Sequence, residues 1–152
     1  MDVLTPDQRR LNMSRIRGRN TKPEMLVRRA LHAYGYRFRL HQRDLPGKPD
    51  LVLPKWQTAI FVHGCFWHRH NCRYFKMPET REDFWREKIA RNVERDIVAR
   101  AALGANDWRT LAIWECALRG KGKLTTEALI GAVDDFLSAS AAAVGEIRGA
   151  DA

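Results

Sequence analysis

Two short apolar runs with a four-residue turn between them constrain the fold of this chain most strongly. Residues 50–53 read DLVL, residues 58–63 read TAIFVH, and the turn at 54–57 reads PKWQ. Nearly every side chain in both runs is apolar, which is typical of strands that are buried on both faces. The two runs therefore predict neighbouring strands inside a sheet that is covered on both sides.

Start signals and periodicity place helices around these strands. Thr21-Lys-Pro-Glu24 has a capping residue and a proline at a first helical position, and Thr80-Arg-Glu-Asp83 carries a second capping pattern. The predicted elements, in chain order, are helices at 5–17 and 21–34, strands at 36–41, 50–53 and 58–63, a helix at 80–104, a strand at 108–114 and a helix at 124–137. This order predicts an α/β sandwich with a mixed sheet.

The two ends of the chain differ in composition from its middle. Residues 1–20 contain an arginine-rich helix with few large apolar side chains, which predicts either a basic arm that orders on DNA or a solvated charged face. Residues 138–152 consist mostly of Ala, Ser and Gly and predict a flexible, frayed tail. The expected division is an N-terminal arm at 1–20, a folded domain at 21–137 and a tail at 138–152.

The charge of the chain favours a polyanionic partner. It has 27 Lys and Arg against 18 Asp and Glu, a net charge of +9, and a basic folded domain of this kind indicates nucleic acid first. A cytosolic protein that is merely basic is the alternative. No apolar run reaches the ~20 residues of a membrane span, and the first residues lack the order of a signal peptide. We therefore expect a cytoplasmic protein with no membrane partner.

Cysteine and histidine cluster in a way that indicates a metal. Cys65, His70 and Cys72 lie close together, and Cys116, the remaining cysteine, follows the strand predicted at 108–114. Three cysteines cannot all form intramolecular disulfides, which the cytosol disfavours in any case. Thiolates and imidazole suit zinc, and four protein ligands predict a structural Zn²⁺ site without an open position. Three free cysteines in a core are the alternative.

One carboxylate and two histidines form a second candidate site. Asp50 begins one central strand and His63 ends the next, so pairing of the strands through the turn brings both to one edge of the sheet. His68 follows within the predicted zinc loop. A carboxylate can hold Mg²⁺, and a histidine can act as a base or acid, as phosphodiester hydrolysis requires. The alternative is a turn position for Asp50 and ordinary core or surface positions for the histidines.

Four ordered motifs resemble the very short patch repair endonucleases of bacteria, which are strand-specific mismatch nickases. The motifs are LPGKPD at 45–50, AIFVHGCFWHRHNC at 59–72, FWREKIARNVERD at 84–96 and IWECAL at 113–118. The similarity covers residues 12–137, nearly the whole chain. It implies a restriction-endonuclease-like fold, that is, a three-layer α/β core with a mixed central sheet flanked by helices, together with a structural zinc site and a basic N-terminal helical arm.

The resemblance also implies roles for the residues of the active site. Asp50 and the main-chain carbonyl of Val62 would hold a catalytic Mg²⁺, although the family often has Thr where this chain has Val62. His68 would be the general base, with His63 as its partner or as a phosphate contact. Glu24 would act through a metal-bound water, although the capping pattern alone explains it as a helix cap. The zinc ligands that match the family residue by residue are Cys65, His70, Cys72 and Cys116.

Other matched residues would contact DNA. The side chains that would insert beside a mismatch are Phe66, Trp67 and Trp85 from the major groove and Met13 and Ile16 from the minor groove. For Phe66 and Trp67, packing around the zinc site is the alternative. Lys88 and Asn92 lie four residues apart on one helix face, which suits base or phosphate contacts. The resemblance makes Asp96 a candidate for orienting a histidine.

These features lead to one functional hypothesis and two alternatives. We expect a Mg²⁺-dependent, strand-specific endonuclease that acts as a monomer and nicks duplex DNA 5′ to the thymine of a T:G mismatch. Such mismatches arise by deamination of 5-methylcytosine, so a cytosine-5 DNA methyltransferase and downstream repair proteins are the expected functional partners. The alternatives are a restriction-type nickase with another sequence preference and a zinc-stabilised DNA-binding module without catalysis.

Overall fold

The two apolar runs form neighbouring strands within the central sheet. The computed structural model of the chain describes residues 21–138 and 142–150. Its helices are α1 (Lys22–Ala33), α2 (Glu82–Ala105) and α3 (Thr126–Ser138), and its strands are β1 (Arg39–Leu40), β2 (Leu51–Leu53), β3 (Thr58–His63), β4 (Arg109–Trp114) and β5 (Val144–Ile147). Short 3-10 helices follow β2 and β4. The helix predicted at 5–17 lies outside the described residues.

The sheet is mixed, as predicted. Its five strands lie in the order β1-β2-β3-β4-β5. The pairs β1–β2 and β2–β3 are antiparallel, and the pairs β3–β4 and β4–β5 are parallel. The register pairs His63 with Trp114 at the ends of β3 and β4. Asp50 immediately precedes β2, whose Leu51 pairs with Ile60. Asp50 and His63 therefore lie at the same edge of the sheet.

Helices cover both faces of this sheet and make an α/β structure of three layers. On one face, α1 and α3 pack on β2, β3 and β4 through buried aliphatic side chains, among them Val27, Leu31, Leu53, Ile60, Leu111, Ile113, Ile130 and Val133. On the other face, Leu103 of α2 packs on Ala59 and Phe61. Burial of each large aliphatic side chain contributes about 1.5–3 kcal/mol, so these contacts hold the layers together. Within 21–138 and 142–150, no helix combines the length and apolarity that a bilayer span requires.

The prediction of a frayed tail from Ser138 onward is wrong for residues 144–147. These residues form β5, which pairs in parallel with β4, and Ile147 is buried opposite Ile113. Gly145 lies against the Phe136 ring, where an added Cβ would come within 2.6 Å. The strand has a single buried apolar side chain, so its sequence lacks the apolar run by which β2 and β3 are recognised.

Other differences concern the ends of elements and one helix face. The strand predicted at 36–41 shrinks to β1, which ends at Leu40 because His41 adopts a left-handed φ of 46°. Helix α2 begins at Glu82 and has no side-chain cap, so the Thr80 capping pattern is not used. The apolar side chains of α2 do not form one buried stripe, since Ile89 is buried whereas Phe84 and Ile97 are exposed. The N-terminal half of α2 packs on the loop after β3 instead of on the sheet.

Candidate active site and metal cluster

A cleft of about 1680 Å³ opens at the sheet edge where β3 ends. Its walls are the first turn of α1, the loop at 46–50, the end of β3, residues 64–68 and one side of α2. Basic side chains that line it include Lys48, Lys88, Arg91, Arg95, Arg100 and Arg119. The lining also carries the carboxylates of Glu24, Asp50, Glu87, Glu94, Asp96 and Glu115, so the cleft holds charges of both signs, and its basic side chains are the ones that can contact a polyanion.

The first turn of α1 places a buried carboxylate in the cleft. The main-chain N–H of Glu24 donates to Thr21 Oγ1 and completes the helix cap, while the Glu24 side chain makes other contacts. Its Oε2 forms a salt bridge with Arg28, one helical turn later, and lies 2.9 Å from His41 Nε2. Glu24 is only 2% exposed, so these two partners compensate for the loss of water around its charge.

The Asp50 carboxyl group lies beside Glu24 and the end of β3. Its Oδ2 accepts a hydrogen bond of 2.7 Å from the Val62 N–H. Burial, reinforced by the Glu24 carboxylate, raises the pKa of Asp50 to about 7, while the Val62 N–H and Arg28 oppose this rise. Donor atoms of Glu24, His41 and Asp50 lie within 4.8 Å of one another, a spacing that can hold a cation.

A second group in the cleft consists of two stacked histidines and a carboxylate. The rings of His63 and His68 stack with their centroids 3.9 Å apart, and His68 Nδ1 lies 2.5 Å from Asp96 Oδ2 on α2. Asp96 thereby holds the His68 ring in one orientation, and Nε2, the other ring nitrogen, is left for proton transfer. Burial, followed by the effect of His68, lowers the pKa of His63 to about 3, so His63 remains neutral behind His68.

Next to the cleft, three cysteines and a histidine converge from two segments. Donor atoms of Cys65, His70, Cys72 and Cys116 lie within 4.8 Å of one another. His70 Nδ1 is 3.6 Å from the Sγ atoms of both Cys65 and Cys116. The His70 N–H donates to the Cys65 carbonyl, and the Cys72 N–H to the His70 carbonyl, so the loop backbone fixes the spacing. The cluster can hold a metal ion.

The end of β5 and the residues that follow it cover this cluster. The Gly149 N–H donates to Cys116 Sγ at 3.2 Å, and Arg148 donates to the Asn71 carbonyl, between two of the cluster's residues. Glu146 accepts from the Trp114 indole, whose ring stacks on His70 with centroids 3.9 Å apart. Residues 146–149 therefore contact the cluster directly and through Trp114.

Half-buried aromatic rings occupy the outer part of the cleft. Phe66 and Trp67 meet edge to face at 5.2 Å, and Trp85 on α2 approaches them at 5.6 and 5.7 Å. The Asn92 amide donates to the Trp67 carbonyl at 3.1 Å, and Lys88 Nζ lies 5.8 Å from the Trp67 ring centroid. Helix α2 thus holds the loop that carries Phe66 and Trp67.

Most of the residues selected from sequence meet in this region, in three groups. The carboxylate group holds Glu24 and Asp50, with Val62 beside them; the histidine group holds His63, His68 and Asp96; the cysteine cluster holds Cys65, His70, Cys72 and Cys116. Phe66, Trp67, Lys88 and Asn92 line the cleft, and Trp85 contacts the rings of Phe66 and Trp67. Met13 and Ile16 lie outside the described residues.

Three contributors were not singled out from sequence. Arg28 could have been found, because it follows Glu24 by four residues on one helix and that spacing favours an ion pair. His41 gave no signal, because its contact with Glu24 depends on how β1 and α1 pack. Residues 146–149 were assigned to the tail, although they contact the cysteine cluster.

Comparison with known proteins gives a consistent picture. The family described as DNA mismatch endonuclease Vsr matches residues 1–74. The type II nicking enzyme V.XorIIP of Xanthomonas oryzae pv. oryzae is 50% identical over 123 residues, which cover 81% of this chain and 90% of the relative. The DNA mismatch endonuclease Vsr of Escherichia coli is 45% identical over 136 residues, covering 90% and 87% respectively. The type II nicking enzyme V.NmeAIP of Neisseria meningitidis is 42% identical over 120 residues, covering 79% and 86%.

Proposed function

The chain belongs to the Vsr family of DNA mismatch endonucleases, and from that premise we propose that it nicks duplex DNA 5′ to the thymine of a T:G mismatch in a Mg²⁺-dependent reaction. The observation that carries the proposal is the meeting of the Asp50 group and the His68 group in one cleft that basic side chains also line. As a DNA endonuclease, the chain is not a binding module without catalysis. Nicking at mismatches left by 5-methylcytosine deamination would begin very short patch repair.

The donor set around Asp50 fits Mg²⁺, which prefers oxygen ligands. Asp50 and the main-chain carbonyl of Val62 would hold the ion, with Glu24 beside them. The N–H and C=O of a strand residue point to the same side, so the hydrogen bond from the Val62 N–H to Asp50 supports this use of the carbonyl. When bound, Mg²⁺ would neutralise charge that develops on the phosphate in the transition state.

The histidine group supports a general-base role for His68. Because the Asp96 carboxylate is hydrogen-bonded to Nδ1, Nε2 is the ring nitrogen whose lone pair can take a proton from the attacking water. The Asp96 carboxylate would then stabilise the imidazolium that results. His63, held neutral by burial, adds no competing positive charge beside that imidazolium and backs the ring on its other face.

The cysteine cluster fits a structural Zn²⁺. Tetrahedral zinc with one nitrogen and three sulfur ligands requires N···S separations of about 3.6 Å, given Zn–N and Zn–S bonds of roughly 2.0 and 2.3 Å, and His70 shows 3.6 Å to two sulfurs. Burial raises the pKa of the Cys65 and Cys116 thiols, so a bound cation is what would stabilise their thiolates. The four ligands would fix the loop that carries His68, Phe66 and Trp67.

The aromatic rings support recognition of a mismatch by insertion. A T:G wobble pair stacks poorly, so a wedge separates it from its neighbours at lower cost than a Watson–Crick pair. Phe66, Trp67 and Trp85 would provide the wedge from the major groove, and Met13 and Ile16 from the minor groove. Lys88 would contact phosphate or bases, while Asn92 would contribute mainly by holding Trp67.

The remaining features of the proposal follow the family. The three layers and mixed sheet support a restriction-endonuclease-like core that extends from residue 21 through β5, with residues 1–20 as a DNA-binding arm. The protein would act as a monomer in the cytoplasm, and its substrate would arise where a cytosine-5 methyltransferase has modified DNA. Downstream repair proteins would process the nick.

The test is a nicking assay on labelled duplexes that contain T:G or T:A at one position, with Mg²⁺ or with EDTA. We expect a cut only in the strand with the mismatched thymine, only with Mg²⁺, and none by the Asp50→Ala variant, which should still bind DNA. Several relatives are named type II nicking enzymes, which favours one alternative function: a nickase that recognises a DNA sequence and does not require a mismatch. Equal cutting of T:A and T:G duplexes would establish that alternative.

A further inference from the structure

We propose that His41 is a positioning residue of the active site, which holds the Glu24 carboxylate in place beside Asp50 through a hydrogen bond from Nε2. This role presupposes the metal-dependent nicking proposed above. His41 lies on neither of the motifs that surround Asp50 and His68, and it is separated from Glu24 by 17 residues in sequence. Its assignment rests on four observations of the fold.

The first observation is the contact between the two side chains. His41 Nε2 lies 2.9 Å from Glu24 Oε2, and Arg28 donates to the same oxygen. Arg28 Nη2 also lies 3.2 Å from His41 Nε2, but the shorter contact with the Glu24 carboxylate favours the Nε2–H tautomer, and the carboxylate oxygen accepts from both groups through its two lone pairs. With Oε2 occupied in this way, Glu24 keeps one orientation, and Oε1 remains as its other ligand atom.

The second and third observations concern the backbone. The His41 N–H donates to the Asp50 carbonyl at 3.2 Å, so the residue that orients Glu24 is also tied to the main chain of Asp50. In addition, His41 adopts a φ of 46°, in the left-handed region. A non-glycine residue in this region is strained by about 1–2 kcal/mol, and such strain persists where the surrounding contacts fix the conformation. The strained backbone turns the side chain away from the path of β1 and towards α1.

The fourth observation is the spacing of the donor atoms. One oxygen each of Glu24 and Asp50 and one nitrogen of His41 lie within 4.8 Å of one another. Two carboxylates at this distance repel each other, and the cost is lowest when one of them has its own cationic partners. For Glu24 the positive charge comes from Arg28, and His41 adds a hydrogen bond to the same oxygen, so the two carboxylates can stay close enough to share one cation.

Two substitutions of His41 distinguish between two roles for the residue: a hydrogen bond that Nε2 donates to Glu24, and a merely structural contribution. The side-chain amide of Gln reaches the position of Nε2, whereas the shorter Asn reaches only that of Nδ1. We expect His41→Gln to retain the contact with Glu24 and His41→Asn to lose it. His32, which is exposed on α1 and does not line the cleft, offers the matched control His32→Asn.

The first measurement is binding of Mn²⁺ to the full-length, zinc-loaded protein, followed by the electron paramagnetic resonance signal of free Mn²⁺. We expect His41→Asn to weaken binding about tenfold, as is typical when a partner of a metal-site residue is removed. His41→Gln should stay within about twofold of the unchanged protein, and His32→Asn should have no effect. Equal affinity in all three variants, or equal losses for His41→Gln and His41→Asn, would overturn the role of His41.

The second measurement is the Mg²⁺ concentration for half-maximal nicking of a T:G duplex. It should rise about tenfold in His41→Asn with little change in the rate at saturating Mg²⁺, and His41→Gln should restore it. A fall in the saturated rate with no change in the Mg²⁺ requirement would contradict the role. If the unchanged protein nicks no T:G duplex, the proposed function fails, while the Mn²⁺ affinities still decide the role of His41.

Discussion

The cysteine cluster and the cleft that holds Asp50 lie at the two ends of one short segment, residues 62–72, but they are built in opposite ways. In the cluster, donor atoms face each other, the loop backbone fixes their spacing, and residues 146–149 cover them. In the cleft, carboxylates and imidazoles come from α1, the residue before β2, the end of β3, the loop after it and α2, and they line an open space. A closed set of soft ligands retains a metal, whereas an open set of hard ligands leaves room for substrate.

Each region lowers the stability of the folded protein in its own way. The cleft keeps two carboxylates close together and a histidine in a strained backbone, which lowers stability and serves the chemistry. The cluster has its own cost, because neutral thiols are favoured there until a cation binds. Changes in the cleft should therefore affect the nicking rate far more than folding, and changes in the cluster should do the reverse.

The largest effect is expected for Asp50→Asn. The variant keeps an acceptor for the Val62 N–H but lacks the charge that would hold Mg²⁺, so the nicking rate should fall by about 1,000-fold or more. The measurement is single-turnover nicking of a T:G duplex at saturating protein. The zinc content of the variant, determined by elemental analysis, should be unchanged. Loss of zinc together with activity would show that the two regions are not separable.

Cys116→Ser should affect folding stability far more than the nicking rate. The loss of a structural metal ligand removes folding free energy of about 4 kcal/mol or more, because metal binding and folding are coupled. Thermal unfolding with and without a strong chelator is the measurement. The chelator should lower the melting temperature of the unchanged protein and leave that of Cys116→Ser nearly constant. If the chelator changes neither protein, the four-ligand zinc site is wrong.

These two regions also differ in how far sequence alone predicted them. Strand β3 was predicted with its observed limits, because a continuous apolar run bounded by a turn is a local signal. The cluster was recognised because Cys and His have few roles in such spacing, and Cys116 was the one cysteine left to complete it. For His63 and His68, by contrast, sequence predicted proximity, but the 3.9 Å stacking depends on packing under α2.

The parts that sequence missed depend on contacts between distant segments. Strand β5 pairs with β4 only after α3 has crossed the sheet, and its single buried side chain, Ile147, leaves almost no periodic signal. His41 contacts Glu24 because β1 and α1 pack at one edge, which no short pattern records. Local signals therefore predicted elements and ligands, while the contacts that orient them required the fold.

A smaller effect on the nicking rate is expected within the histidine group. His68→Ala should slow single-turnover nicking by about 100- to 1,000-fold, the usual contribution of a general base. Asp96→Asn should slow it by about tenfold, because the ring keeps a hydrogen-bond partner but loses the charge that stabilises the imidazolium. Equal losses in both variants would mean that Asp96 does more than orient His68.

Asp50→Asn should also reveal the stability cost of the cleft through its pH dependence. In the metal-free site the pKa of Asp50 is raised from 3.8 to about 7, so the folded protein binds a proton that the unfolded chain releases. The resulting penalty is absent below pH 3.8, grows between these two pKa values and is complete above pH 7. Without Mg²⁺, the variant should therefore gain unfolding free energy of roughly 4 kcal/mol at pH 8 and much less at pH 4. Denaturant unfolding at the two pH values is the measurement.

The smallest effect tests whether the chain after β5 belongs to the closed cluster. A Cβ added at Gly149 would lie 2.5 Å from the Cys116 carbonyl oxygen, whereas one added at Gly131 on α3 would meet no atom within 4 Å. Gly149→Ala should displace the N–H that donates to Cys116 Sγ and speed zinc release to a chromogenic chelator roughly tenfold. Gly131→Ala should leave release unchanged. Identical release rates would place the tail outside the metal site, whereas a difference would show that closure depends on a residue that is distant in sequence from all four ligands.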